Sequence, residues 1–157
     1  MKRIVILLAA LLCLLPAGCG TAAKPEPSAA PVRSEETNTE ETSMKLYISE
    51  TEVPVTWEQN DAVTALQALA GGNGLTISMS MYGGFEQVGS IGQSLPHADR
   101  QTTTSAGDIV LYSGNQIVVF YGSNSWAYTR LGHVELSRDE MTKLLSNGNV
   151  TLQITEG

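Results

Sequence analysis

The chain has 157 residues and a formal net charge of −7, with 9 Lys and Arg against 16 Asp and Glu. No Lys/Arg cluster is present, which argues against nucleic acid as a partner, because such binding needs a concentrated basic face. The two histidines, His97 and His133, lie far apart with no Cys and no carboxylate pattern beside them, so no metal site is expected.

In chain order, Lys2 and Arg3 precede an apolar run from Ile4 to Leu15. That run is short for a bilayer span and small residues follow it, as in a secretory signal. The segment ends "LLPAGCG", and Ala17-Gly18-Cys19 resembles a bacterial lipobox, in which the Cys is lipidated and becomes the new N-terminus. Pro16 stands where that pattern prefers Leu, with Leu15 one step earlier. The alternative is an ordinary signal cut near Thr21 to Ala23. Residues 1–18 are read as a lipoprotein signal peptide and Cys19 as the lipid anchor. The protein is then expected in the cell envelope, on the extracytoplasmic side of its membrane. Cys13 lies in the signal, so the exported domain has no disulfide, although its compartment would permit one.

Residues 19–44 hold the anchor Cys and a stretch of Ala, Pro, Ser, Thr and Glu with almost no large apolar side chain. Such a composition cannot bury enough surface to offset its ordering entropy and predicts a disordered acidic linker. Residues 45–157 remain as one domain, long enough for a real core.

Within the domain, "KLYISETEVPVTWE" alternates apolar and polar residues on both sides of Ser49-Glu50-Thr51-Glu52, predicting a hairpin. Pro54 puts its second strand at an edge or at a strand start. "NDAVTALQALAGG" predicts a helix capped by Asn60 or Asp61, with Val63, Leu66 and Leu69 or Ala70 inside and Gly71 as its stop. "LTISMSMY" and "FEQVGSIG" are short strands around Gly83-Gly84, and residues 92–107 read as a long loop. "DIVLYSGNQIVVFYG" is two strands about a Ser-Gly-Asn turn, with Asp108 as a turn residue. A loop carrying Trp126 leads to the strand "RLGHVEL". The helix "SRDEMTKLLSNGN" opens with a capping box, Ser137 and Glu140, and "VTLQI" is a last strand. This pattern predicts a mainly β fold with two helices: a small closed antiparallel barrel capped by the helices.

From Gly114 onward, a Gly-x-Gln strand, a loop with Trp, the "LGHV" strand, a helix and a final strand resemble the C-terminal half of cyclophilins. "MYGGFEQVGS", "AGDIVLY" and "IVVFYG" extend the likeness over nearly all of residues 45–156, most closely to compact bacterial cyclophilin-like proteins. The resemblance implies a working face. Gly84-Phe85 matches the Gly-Phe pair, Gln116 the second Gln, and Trp126 keeps the family's ten-residue spacing after it. Gln87 stands one residue short of the first Gln, whose place Val88 takes, and Val118 replaces the second Phe. The His after the Trp is missing from a shortened loop, and the catalytic Arg position holds Ser80. That Arg would donate to the prolyl nitrogen and relieve an amide barrier of about 18–20 kcal/mol.

Tyr121, Tyr128 and Arg130 join Trp126 in the densest amphipathic group of the chain, a composition common in binding sites. The expected cleft therefore comprises Phe85, Gln87, Gln116, Tyr121, Trp126, Tyr128 and Arg130. No Gly-rich phosphate loop, nucleophile elbow or paired-carboxylate motif is present, and no cofactor is implied. The sequence thus points to a membrane-anchored cyclophilin-like module binding a peptide or small molecule. The alternatives are a weak peptidyl-prolyl isomerase assisting exported proteins, and a structural or interaction domain without pocket chemistry.

Overall fold

The computed structural model describes residues 44–157. The expected signal peptide 1–18, the expected lipid anchor Cys19 and the expected linker up to residue 43 lie outside the described residues.

The first strand, β1 (Met44–Ile48), turns at Ser49 and Glu50, both at positive φ, and pairs antiparallel with β2 (Thr51–Val53). Pro54 then ends this pairing, and β3 (Val55–Trp57) runs in a different sheet. Proline supplies no N–H to a ladder, so the expected hairpin strand is divided there between two sheets.

Helix α1 (Asp61–Ala70) is capped by Asn60, whose Oδ1 accepts from Val63 N at 3.0 Å while its Nδ2 donates to Arg130 O at 2.9 Å. One side chain therefore starts the helix and ties it to the strand that carries the aromatic cluster. Ala62, Val63, Leu66 and Ala70 face the core. The apolar run after it also divides, at Met79, into β4 (Leu75–Ser78) and β5 (Ser80–Tyr82). Next come β6 (Glu86–Ser90), β7 (Arg100–Thr103), β8 (Asp108–Tyr112), β9 (Gln116–Phe120) and β10 (Ser125–Val134). Helix α2 (Arg138–Leu145) carries the expected capping box of Ser137 and Glu140, and β11 (Thr151–Glu156) ends the domain.

Two antiparallel sheets result, in the orders β2-β1-β11-β4 and β3-β10-β8-β9-β6-β5, with β7 on the free part of β10. Each edge of the first sheet continues along the chain into an edge of the second, through Pro54 at β2/β3 and through Met79 at β4/β5. At the second of these corners the chain lies close on β6. A Cβ on Gly89 would collide with Met79 Sδ and would lie 2.6 Å from Ile77 Cγ2, so only a residue without a side chain fits.

The main core lies between the sheets and under both helices, built from residues such as Leu46, Ile48, Leu66, Ile109, Ile117, Leu131, Met141 and Leu152. Each such side chain contributes roughly 1.5–3 kcal/mol by leaving water. A second, smaller cluster lies on the other face of the larger sheet: Val110, Val118, Phe120 and Tyr128, with Phe85, Val88 and Tyr112 packed against them. An apolar face outside the main core needs a cover or an occupant.

Two further sequence expectations change. Residues 92–107 are not all loop, because Arg100–Thr103 form β7 against Ser125–Tyr128. In consequence Trp126 and Tyr128 stand on a strand instead of a loop.

Candidate functional site

The outer face of the larger sheet is set by strand alternation. Val88 on β6 lies opposite Val118 on β9, and Val118 lies opposite Val110 on β8. One step along, Glu86 pairs with Phe120 and with Tyr82. One step the other way, Gln116 pairs with Tyr112. Because side chains on a strand repeat every two residues, all of these share one face.

The ribbon of β7 and β10 extends past this sheet and forms a wall beside it. Its tip is held by Thr104 and Asn124, with Thr104 N donating to Asn124 O at 2.8 Å and Asn124 N to Thr104 Oγ1 at 3.0 Å. Asn124 Nδ2 also donates to the Tyr128 hydroxyl at 3.1 Å. The Tyr128 ring stands edge-on to Tyr112 (centroids 6.0 Å) and Phe120 (5.8 Å), arrangements favoured by aromatic quadrupoles.

Between wall and sheet lies a groove of about 460 Å³, lined by Tyr82, Glu86, Val88, Tyr112, Gln116, Val118, Asn124, Trp126 and Tyr128. Tyr82 and Trp126 are 66% and 58% exposed, so two large aromatic faces are open to solvent at its mouth. The turn that presents Tyr82 needs glycine: Gly83 has φ +61, and a Cβ there would strike the Phe85 ring.

The seven residues expected to form a cleft do not share one location. Gln116, Trp126 and Tyr128 line the groove together. Phe85 packs beneath it, and its carbonyl accepts from Tyr121 N and Gly122 N at 3.0 and 2.9 Å. Gln87 does not line it. Its odd position in β6 turns it inward, fully buried, where Nε2 donates to Leu145 O and Gly148 O at 2.7 Å each and so secures the end of α2. Tyr121 also points inward, into the main core, for the same reason of parity. Ser80, in the place the resemblance gives to Arg, is exposed on β5 opposite Val88.

Arg130 faces a different groove, of about 540 Å³, with Glu58, Asn60, His97, Arg100 and Thr129. Its Nη2 donates to Asp108 Oδ1 at 2.7 Å, and its Nε lies 3.5 Å from Glu58 Oε1. His133 Nδ1 meets the same Asp108 oxygen at 2.9 Å. Residues 130 and 133 would fall on opposite faces of a regular strand. A bulge between Arg130 and Gly132 resets the alternation, so both address one carboxylate. Asp108 is therefore more than a turn residue. Arg130 and Glu58 in this second groove are thus engaged within the fold, and His97 Nδ1 lies 3.3 Å from Asp99 Oδ2.

Glu86, absent from the sequence-based cleft, is the residue that stands out chemically. It lines the aromatic groove and is only 5% exposed, and its Oε2 has no hydrogen-bond partner among the described residues. Burial pushes its carboxyl up to about 7. Burial, with Glu86 nearby, also raises the Tyr128 phenol. The parity of "FEQVGS" carried a signal for this: Gln87 and Gly89 fall on one face, leaving Glu86 beside apolar Val88 on the other.

Among the described residues there is no cluster of three or more metal-ligating side chains, and no helix is long and apolar enough to cross a membrane. A family model described as the cyclophilin-like family matches residues 46–155. No curated protein and no solved structure matches the chain.

Proposed function

The chain belongs to the cyclophilin-like family, and on that premise we propose that it is a binding module which holds a peptide or small molecule in its outer-face aromatic groove. The observation that carries this is the pair of open rings, Tyr82 and Trp126, over an apolar floor of Val88 and Val118. A monomer has no structural need for such a surface, and aromatic groups over a cleft with few polar partners are the composition of ligand sites. We read the two sheets, joined along the chain at both edges, as one closed barrel whose exterior carries this site.

The groove fits binding better than proline isomerisation. Isomerisation calls for a guanidinium at the prolyl nitrogen, and among the described residues no Arg or Lys lines this groove. Arg130 lines the other groove and is engaged by Asp108 and Glu58.

The test is NMR titration of the protein with short proline-containing peptides, with cis/trans exchange of the peptide followed in the same tubes. Shifts at Val88, Val118 and the Trp126 indole without faster exchange are expected. Trp126→Ala should weaken binding about tenfold, the scale of one aromatic contact of roughly 1.4 kcal/mol. Catalysed exchange would replace the binding reading with an isomerase, and an unresponsive groove would leave a structural domain.

We further propose that Cys19 anchors the module to the extracytoplasmic face of its membrane, with the linker holding the domain away from the surface. Lipidation predicts that the native chain sediments with membranes and that Cys19→Ser moves it to the soluble fraction. An unchanged distribution would remove the anchor.

A further inference from the structure

Resting on the binding role above, we propose that the groove recognises an organic cation: an alkylammonium head on an apolar stem, set among Tyr82, Tyr112, Trp126 and Tyr128 and neutralised by Glu86.

Four observations converge on this chemistry. Glu86 is nine-tenths buried and more, it lines the groove, and its Oε2 has no partner among the described residues. A carboxylate in such surroundings is costly unless something pairs with it. Among the described residues no Lys, Arg or His lines the groove to supply a counter-charge; the other titratable groups lining it are the phenols of Tyr82, Tyr112 and Tyr128. Asp108 shows the contrast, because it is equally buried but receives Ser105, Arg130 and His133. Finally, the walls are aromatic, and ring faces attract cations through their quadrupole. An anionic ligand would meet like charge, and a neutral one would bring the carboxylate no counter-charge. An alkylammonium satisfies the carboxylate with its N–H groups and the rings with its charge, while its stem covers Val88 and Val118.

The exchange is balanced. With its carboxyl pushed up to about 7, Glu86 is partly protonated near neutrality, and cation binding releases that proton to solvent. Affinity should therefore fall by about tenfold between pH 8 and pH 6, as the ionised fraction of the free site falls.

The experiment titrates the full-length protein with n-butylammonium chloride and, separately, with n-butanol of the same heavy-atom count. NMR follows the groove methyl groups and the Trp126 indole. Two further probes, acetyl-lysine-N-methylamide and its Nε-acetylated form, ask whether the cation belongs to a peptide or to a free amine. The ammonium probes should bind at least about tenfold more tightly than their neutral counterparts at pH 8. Glu86→Gln, which keeps shape and removes charge, should abolish both that preference and its pH dependence while n-butanol still binds. Whichever ammonium probe binds more tightly names the source, and either result supports the proposal. Equal binding of charged and neutral probes, or a preference that survives Glu86→Gln, overturns the cation inference and leaves groove binding intact. No response to any probe overturns the inference as well. The proline peptides then show whether the binding role beneath it falls too.

Discussion

A chain carrying Asp108→Ala should lose about 3 kcal/mol of folding stability at pH 7, read as a lowered urea midpoint. Asp108 begins β8 and is only 3% exposed. Its Oδ2 accepts from Ser105 N at 2.8 Å, closing the turn into the strand, and its Oδ1 accepts from Arg130 and His133 on β10. Alanine removes all three at once and leaves the Ser105 N–H without its acceptor. Arg130 and His133 are partly exposed and regain water, which keeps the loss below that of a fully buried ion pair.

Asp108→Asn retains an acceptor for Ser105 and should lose about half as much. Burial works to raise the Asp108 carboxyl, but the hydrogen bonds of His133 and Ser105, with the charge of Arg130, outweigh it and hold the group below its ordinary 3.8. The sign follows. The stabilisation is complete above the unfolded value and is lost as pH falls through the lower, folded value. The alanine variant should lack this acid-labile increment. A stability within 0.5 kcal/mol of the parent at pH 7 would show that the cluster is incidental.

Glu86→Gln should act in the opposite direction and stabilise the free protein by up to about 3 kcal/mol at pH 8. The carboxyl is near 4.5 in ordinary surroundings and about 7 in the fold, raised by desolvation. Between these values the folded chain holds a proton that the unfolded chain has released. Stability of the parent therefore falls as pH rises from about 4.5 to about 7, and the full penalty applies above that window. At pH 4 the carboxyl is mostly protonated in both states, and the two proteins should differ little. A gain of the same size at pH 4 and pH 8 would mean that shape, not charge, makes the difference. Because the gain comes where cation binding is lost, this residue holds stability and function in opposition, as buried unpaired charges at sites do.

Much of the fold was legible because it depends on neighbours in sequence. The Asn60 cap, the Ser137–Glu140 capping box and the hairpin of β8 and β9 about Ser113-Gly114-Asn115 are each closed within a few residues, so their signals are local. Gln116 and Trp126, placed by resemblance, do reach one groove. Their meeting depends on β7, whose sequence "RQTT" has no apolar alternation and is a strand only because β10 offers it a partner.

Charge balance, the apolar run before Cys19, the mainly β pattern and the positions of both helices were thus determined by the sequence itself, through composition and short-range periodicity. Tertiary structure decided what each polar residue met on its side of the sheet. Gln87 went inward by the parity of β6, Tyr121 packed into the core just after β9, and one bulge brought His133 to the Asp108 that Arg130 also reaches. Glu86 went outward beneath aromatic rings of which Tyr112, Trp126 and Tyr128 come from strands distant in the chain. The physical reason is that a strand's period of two places a side chain on one of two faces, while register and bulges, set by distant partners, determine what each face meets.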